Sequence, residues 1–278
     1  VKFRTIFFVF NAVILLAFGF TFLSPALVLG WSDAAPFLAR NWPLALGFLA
    51  VIGGLDAFFA ANWRLLSLLE REDWPAISSL LRNRIMVKGA ITLPRVRLYL
   101  NTLLILADLE GVKELEAAVA AKRPRILERE SLLFGVARLL RGDAAGAEKL
   151  LSGGGERRGS EWRDFYLAFS RAKAGKDDDA RSGLVALAIA PHRAGLAVRG
   201  LSAFLARDLC PAAAPSDAEA AALAKAEDAR ARIARTHSRA RWTMAAAAAR
   251  RDIPGVVMSR YLDRAEEWIY GERNAQDR

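Results

Sequence analysis

The chain has 278 residues, 54% hydrophobic and 25% charged, with a formal net charge of +10. A single cysteine, Cys210, excludes an intrachain disulfide framework. The two histidines, His192 and His237, stand far apart without a cysteine cluster, which excludes a protein-built zinc site of the usual four-ligand kind.

The first segment, TIFFVFNAVILLAFGFTFLSPALVLG from Thr5 to Gly30, contains no charged residue. As a helix it extends ~39 Å, more than a hydrocarbon layer of ~30 Å. A second apolar run, Trp42 to Trp63, carries Asp56 as its one charge. Trp31, Trp42 and Trp63 fall at the predicted ends, where indole rings prefer the headgroup layer. Lys2 and Arg4 before the first run also suit a cleaved signal peptide, but the run exceeds a usual signal core and a second follows. A retained hairpin is the better reading. Arg64, Arg71, Arg82, Arg84 and Lys88 follow the second span, whereas the connection at 31–41 holds only Arg40 and Asp33. The positive-inside rule then puts both termini in the cytoplasm and the short connection outside.

Two features of the spans concern packing. Gly47, Ala50, Gly54, Ala57 and Ala61 form a stripe of small residues, with Ala12, Gly19 and Ala26 as a counterpart. Such stripes let helix backbones approach closely in lipid. Asn11 and Asp56 lie at similar depth in an antiparallel hairpin, so their side chains can hydrogen-bond. An intramembrane acid is a functional candidate, and polar glue is the plainer alternative.

Beyond Trp63 the apolar period is helical throughout, with no alternating strand run. Turns recur at Asp73, Asp108, Asp143 and Asp177, spaced by 35, 35 and 34 residues, and again at Asp217 and Asp252. An aspartate at such a turn can cap the next helix and suits its positive end. A hairpin of two short helices cannot bury its apolar face alone, whereas stacked copies can. No helix breaker separates the second span from Asp73, so the span can run on as the first helix of the array. The GGGERRGS segment, residues 153–160, reads as a flexible loop.

At residues 134–151 the sequence resembles the tetratricopeptide repeat family, with Phe134, Gly135 and Ala137, a Gly142-Asp143 turn, then Ala147 and Leu151. Residues 165–191 repeat the pattern with Phe165, Leu167, Ala168, Gly175, Ala180, Leu184 and Pro191. Residues 96–124 follow it loosely, with Val112 where a small residue is usual. A fifth unit contains the insertion CPAAAPS, and a sixth is alanine-rich. The resemblance implies a peptide- or helix-binding groove lined by first helices. It places Arg97, Asn101 and Leu104 in that groove, then Arg129, Leu132 and Val136, then Trp162, Phe165 and Phe169. Phe165 and Phe169, four apart, can equally pack into a neighbouring repeat.

Arg230, Arg232, Arg235, Arg239 and Arg241 form a basic run that continues to Arg250 and Arg251 without an acid between them. Contact with anionic lipid headgroups or an acidic partner is one reading, and a solvated face is the other. Nucleic acid is disfavoured, since only Trp242 offers a stacking surface. Enzyme signatures are missing. GLAVRGLS at 195–202 lacks the lysine of a phosphate loop, and neither GxSxG nor HExxH occurs.

These readings predict an all-α protein without a cofactor. Residues 1–63 form a transmembrane hairpin, 64–192 tetratricopeptide-like repeats, and 193–278 divergent helical repeats and a cap. About six hairpins build an α-solenoid. The expected role is a non-enzymatic scaffold at the bacterial inner membrane that binds a protein or peptide partner. The alternative is an accessory subunit of a transport or secretion complex in which Asp56 acts directly.

Overall fold

The computed structural model describes residues 3–153, 161–190, 194–210 and 216–271, and among these every regular element is helical. The chain divides into two compact units, residues 1–80 and 81–278. The boundary predicted after residue 63 falls inside a helix, because α2 continues through Glu70. Lys2, Pro191 and most of the two predicted loops, 154–160 and 211–215, lie outside the described residues.

In the first unit, α1 (Phe3–Leu29) and α2 (Trp31–Glu70) are separated only by Gly30, whose φ of 85° suits a residue without a Cβ. The connection predicted at 31–41 is therefore helix, not loop. The helices run antiparallel, since Phe7 meets Phe59 at 4.7 Å between ring centroids and Phe18 stacks on Phe48 at 4.0 Å. Phe7, Asn11, Ile14, Phe18 and Phe22 are half-buried on α1, as are Ala45, Phe48, Ile52, Asp56 and Phe59 on α2. The small-residue seam is a correction. A Cβ built on Gly19, Gly47 or Gly54 would have no other atom within 4 Å, so those residues do not mediate close packing. Large rings hold the helices apart and fill the space between them. Both helices are long and apolar enough to cross a membrane, over Phe7–Val28 and within Ala34–Glu70. At 1.5 Å per residue the 40-residue α2 extends ~60 Å, about twice a hydrocarbon layer.

After α2 come α3 (Trp74–Arg82), a π-helical turn at Asn83–Val87, α4 (Leu93–Ile105) and α5 (Leu109–Lys122). A short α6 (Pro124–Arg129) leads to α7 (Ser131–Leu140), α8 (Ala144–Gly153), α9 (Glu161–Lys173) and α10 (Asp177–Ile189). The predicted 35-residue period has one local cause, a turn built the same way each time. Glu72, Ala107, Gly142 and Gly175 all adopt the left-handed conformation, with φ of 53°, 54°, 83° and 76°. The next residue's N–H then bonds to a carbonyl five residues back, Asp73 to Leu68, Asp108 to Leu103, Asp143 to Arg138 and Lys176 to Arg171. This is the six-to-one bond of a Schellman ending. Three of the turns restart the chain with the same cap. Asp73, Asp108 and Asp143 each accept the N–H three residues on, at 3.1, 2.9 and 2.8 Å.

The later turns differ from expectation. Lys176, not Asp177, precedes α10, and no side chain caps that helix. At the fifth turn Ser216 is the cap, sharing a capping box with Glu219. Asp252 precedes a helix without a side-chain cap bond.

Helices α7 to α10 pack chiefly on their sequence neighbours. Then α11 (Leu196–Asp208) and α12 (Asp217–Thr236) continue, followed by α13 (Arg239–Ala249), α14 (Ile253–Val257) and α15 (Ser259–Tyr270). The last helices turn back. α15 packs on α11, α12 and α13, and α14 reaches α7. The buried Tyr166 hydroxyl donates to the Pro254 carbonyl at 2.7 Å, and Phe169 meets Tyr261 edge-on at 6.0 Å. One core joins these helices, including Val136, Phe165, Tyr166, Leu201, Phe204, Trp242, Leu262 and Ile269. Polar ties supplement it. Glu116 on α5 is nearly buried and pairs with Arg138 at 2.5 Å and Arg141 at 3.3 Å.

Two outcomes follow from the turns. Ala107→Gly relieves a left-handed alanine and raises stability by about 1 kcal/mol, whereas Gly142→Ala lowers it by a similar amount, both read by thermal unfolding. Glu148 gives a pH signature. The hydrogen bond from Lys176 holds its carboxyl below the usual range against partial burial, with the charges of Lys176 and Arg171 adding to it. Its contribution is complete above the ordinary glutamate value of about 4.3 and is lost as pH falls through the depressed folded value. Lys176→Gln flattens that part of the stability–pH curve.

Candidate functional site

The nine residues of the predicted groove do not share one open surface. Helix α4 carries Arg97, Asn101 and Leu104, the last two half-buried. Arg97 is held by Glu130, with Nε and Nη2 at 2.9 and 2.6 Å from one carboxylate oxygen. Glu130 is itself only 4% exposed, so this pair ties α4 to the α6–α7 junction. Arg129 ends α6 and is exposed. Leu132 is half-buried against the core.

Four positions further along are engaged in packing inside the chain, which corrects the expectation for Val136 and Phe165. Val136 and Phe165 are fully buried and offer no surface to a partner. Phe169 stacks on Phe165 at 6.2 Å, carries the Lys173 ammonium over its ring and is covered by Tyr261. Trp162 meets Phe165 edge-on and packs against the same core. The cause is the return of α14 and α15, whose Pro254 and Tyr261 occupy that side of α7 and α9. Packing inside the chain accounts for Phe165 and Phe169; of the nine positions Arg97 and Arg129 are exposed, and Asn101, Leu104, Leu132, Trp162 and Phe169 are half-buried.

The basic run is also partly neutralised. Arg230 pairs with Glu227 at 3.2 Å and lies over the Trp268 ring. Arg232 pairs with Asp228 one helical turn before it. Arg239 meets Glu266 at 3.5 Å and lies over Tyr270. Among the described residues Arg235 bonds only to its own helix, through Nε to the Ala231 carbonyl, and Arg241 is exposed without a carboxylate partner. The balancing acids lie just before the run and on α15, outside the window that looked purely basic.

In the hairpin, the Asn11 amide donates to Asp56 Oδ1 at 2.7 Å. The bond crosses from α1 to α2 and satisfies part of a carboxyl group set among apolar side chains.

Sequence reading missed a cleft of about 590 Å³ lined by Gly175, Asp177, Asp178, Arg181, Asp208, Leu209, Cys210 and Glu219. Arg181 is its anchor, 5% exposed, donating to Asp178 at 2.8 Å, Glu219 at 3.0 Å and the Leu209 carbonyl at 3.2 Å. Burial pushes the Cys210 thiol up, against the opposing pull of Arg181, so it stays protonated near neutral pH. No group of three or more metal-ligating side chains occurs among the described residues. No local motif marks this cleft, because its lining is gathered from the start of α10, the end of α11 and the start of α12, each an ordinary polar helix end by itself.

Removing the partner of Asp56 has a defined cost. Asn11→Ala lowers hairpin stability by about 0.6–2 kcal/mol, measured by denaturant titration of the full chain in micelles. Asp56→Asn, which keeps a hydrogen-bonding group there, costs less.

The chain is similar to a protein from Treponema pallidum (strain Nichols) described as "Uncharacterized protein", at 28% identity over 281 residues, covering 97% of this chain and 88% of the relative. No solved structure matches it. A family model described as "Uncharacterised Treponema protein" matches residues 111–271, from the start of α5 through α15. With more than half of its length matched, and with the helices that build its core inside the match, the chain belongs to that Treponema family.

Proposed function

We propose that this protein is a membrane-anchored scaffold, a tetratricopeptide-like helical array on a two-span hairpin that recruits a protein partner at the cytoplasmic face of the inner membrane. The observation that carries this reading is the repeated turn. Left-handed residues at 72, 107 and 142 are each followed by an aspartate capping the third N–H onward, at a constant spacing of 35 residues. Such repetition generates equivalent helices at a fixed interval, the geometry by which helical-repeat proteins present one surface to an extended ligand. Asn101, Leu104 and Arg129 offer the chemistry for that purpose, an amide for a peptide backbone, an apolar contact and a cation for an acidic group. The anchor is read from the two apolar helices, and its orientation from the basic residues at their flanks.

A second reading, an accessory subunit of a transport or secretion complex, is favoured only by Asp56 within an apolar helix. The Asn11 bond gives that carboxyl a structural role instead.

A photo-crosslinking side chain at Leu104, in intact membranes, is expected to capture one neighbour, and Arg129→Glu should reduce its yield about tenfold. The same probe at exposed Met244 serves as the control. Equal capture at both positions counts against a groove on α4. Loss of cellular function in Asp56→Asn with capture at Leu104 intact would transfer the activity to the hairpin and end the scaffold reading.

A further inference from the structure

The stretch from Trp74 to Ala107 contains Arg82, Arg84, Lys88, Arg95 and Arg97 and no acid. Two of these cations are neutralised by acids outside the stretch, Arg82 by Glu114 at 2.9 Å and Arg97 by Glu130 at 2.6 Å. Arg95 is turned onto the backbone, its Nη1 donating to the Ala90 carbonyl at 3.3 Å. Arg84 and Lys88 make no ion pair among the described residues. Both lie within one turn of Val87, which is 79% exposed. Of the large hydrophobic side chains described outside the hairpin, Val87 is the most exposed.

The tip that carries these three residues is held from within. The Lys88 N–H closes the π-helical turn on the Asn83 carbonyl at 3.0 Å. The Ala90 N–H bonds to the Arg84 carbonyl at 3.0 Å, and the Ile91 N–H to the Gly89 carbonyl at 2.8 Å. Gly89 permits the reversal with a φ of 65°. Ile85 and Ile91 are buried on either side of the tip, at 0% and 6% exposure, so it is anchored while Val87 projects. A single exposed valine is ordinary on a soluble surface. A valine held outward on an anchored tip, with two unpaired cations beside it, suits the boundary between lipid headgroups and acyl chains.

We propose that Arg84, Val87 and Lys88 form a contact with an anionic lipid surface. Val87 enters the boundary below the headgroups, and Arg84 and Lys88 meet the lipid phosphates. The inference rests on the reading of α1 and α2 as a membrane hairpin, which keeps this tip near a bilayer. Charge complementarity decides the occupant. Arginine and lysine reach phosphates with their charged ends while their stems and the valine stay in apolar surroundings. Two cations and one valine are too few to hold a free protein on a membrane, but a tethered chain meets lipid at a high effective concentration. There they select the surface that faces it.

The test uses the full chain in liposomes, with a fluorophore on Val87→Cys in a Cys210→Ser background. The lipids carry a quenching spin label either near the headgroup or deep in the acyl chain. A fluorophore on Leu16→Cys, 74% exposed on α1, reports the hairpin, and one on Met244→Cys, 67% exposed, reports a surface not assigned to lipid. If Cys210→Ser does not fold, a genetically encoded fluorescent residue at each position replaces the cysteine label. With phosphatidylglycerol present, the shallow label is expected to quench emission at Val87 by about half, and not at Met244, while the deep label quenches Leu16. Arg84→Gln with Lys88→Gln should cut the quenching at Val87 about threefold. Quenching at Leu16 without quenching at Val87 overturns the contact and leaves the anchor standing. No quenching at Leu16 overturns the anchor, and the contact with it. Quenching at Val87 that matches Met244, or that survives loss of both cations, also overturns the assignment. So does a photo-reactive side chain at Val87 that captures protein in place of lipid in intact membranes.

Discussion

A pair of short helices with one apolar side cannot shield that side by itself, and the structure follows from how this chain meets that constraint. The device is a reversal in which a left-handed residue ends one helix and an aspartate begins the next. It satisfies the orphan carbonyls of the ending helix and an orphan N–H of the starting one within a few residues. Because the reversal is short, consecutive helices must lie side by side, and their apolar stripes meet without a long loop to order. Glycine meets the backbone demand at 142 and 175, whereas Glu72 and Ala107 meet it under strain.

The C-terminal helices complete what the serial packing leaves open. The face of α7 and α9 would expose Val136, Phe165 and Tyr166 if the chain simply continued outward. Instead α14 and α15 return to cover it, and the Tyr166 hydroxyl finds its acceptor on Pro254. The same return takes surface from the predicted groove where Tyr261 meets Phe169. It also brings Glu266 to Arg239 and Tyr270 to the His237 carbonyl.

What could be read from the sequence was whatever local spacing determines. The helical period, the turns at Asp73, Asp108 and Asp143, the uninterrupted α2 and the reach of Asn11 to Asp56 all depend on residues at fixed intervals along one or two helices. What escaped depends on distant partners. Nothing near Phe165 signals that Pro254 and Tyr261 will cover its helix. Nothing within the arginine run shows that Glu266 will neutralise Arg239. The small-residue stripe on α2 was misleading for a different reason. Phe18 and Phe48 occupy the facing side and stack, and the van der Waals contact of the two rings takes the place of close backbone approach.

The Tyr166–Pro254 bond spans 88 residues, which has a consequence for how the protein is made. A ribosome adding roughly 5–20 residues per second needs about 4–18 s to deliver the acceptor after the donor has been synthesised. For that interval the nascent array carries an uncovered aromatic face, and the finished chain does not. Any chaperone that tends this protein has its opening then, before translation reaches the final helices.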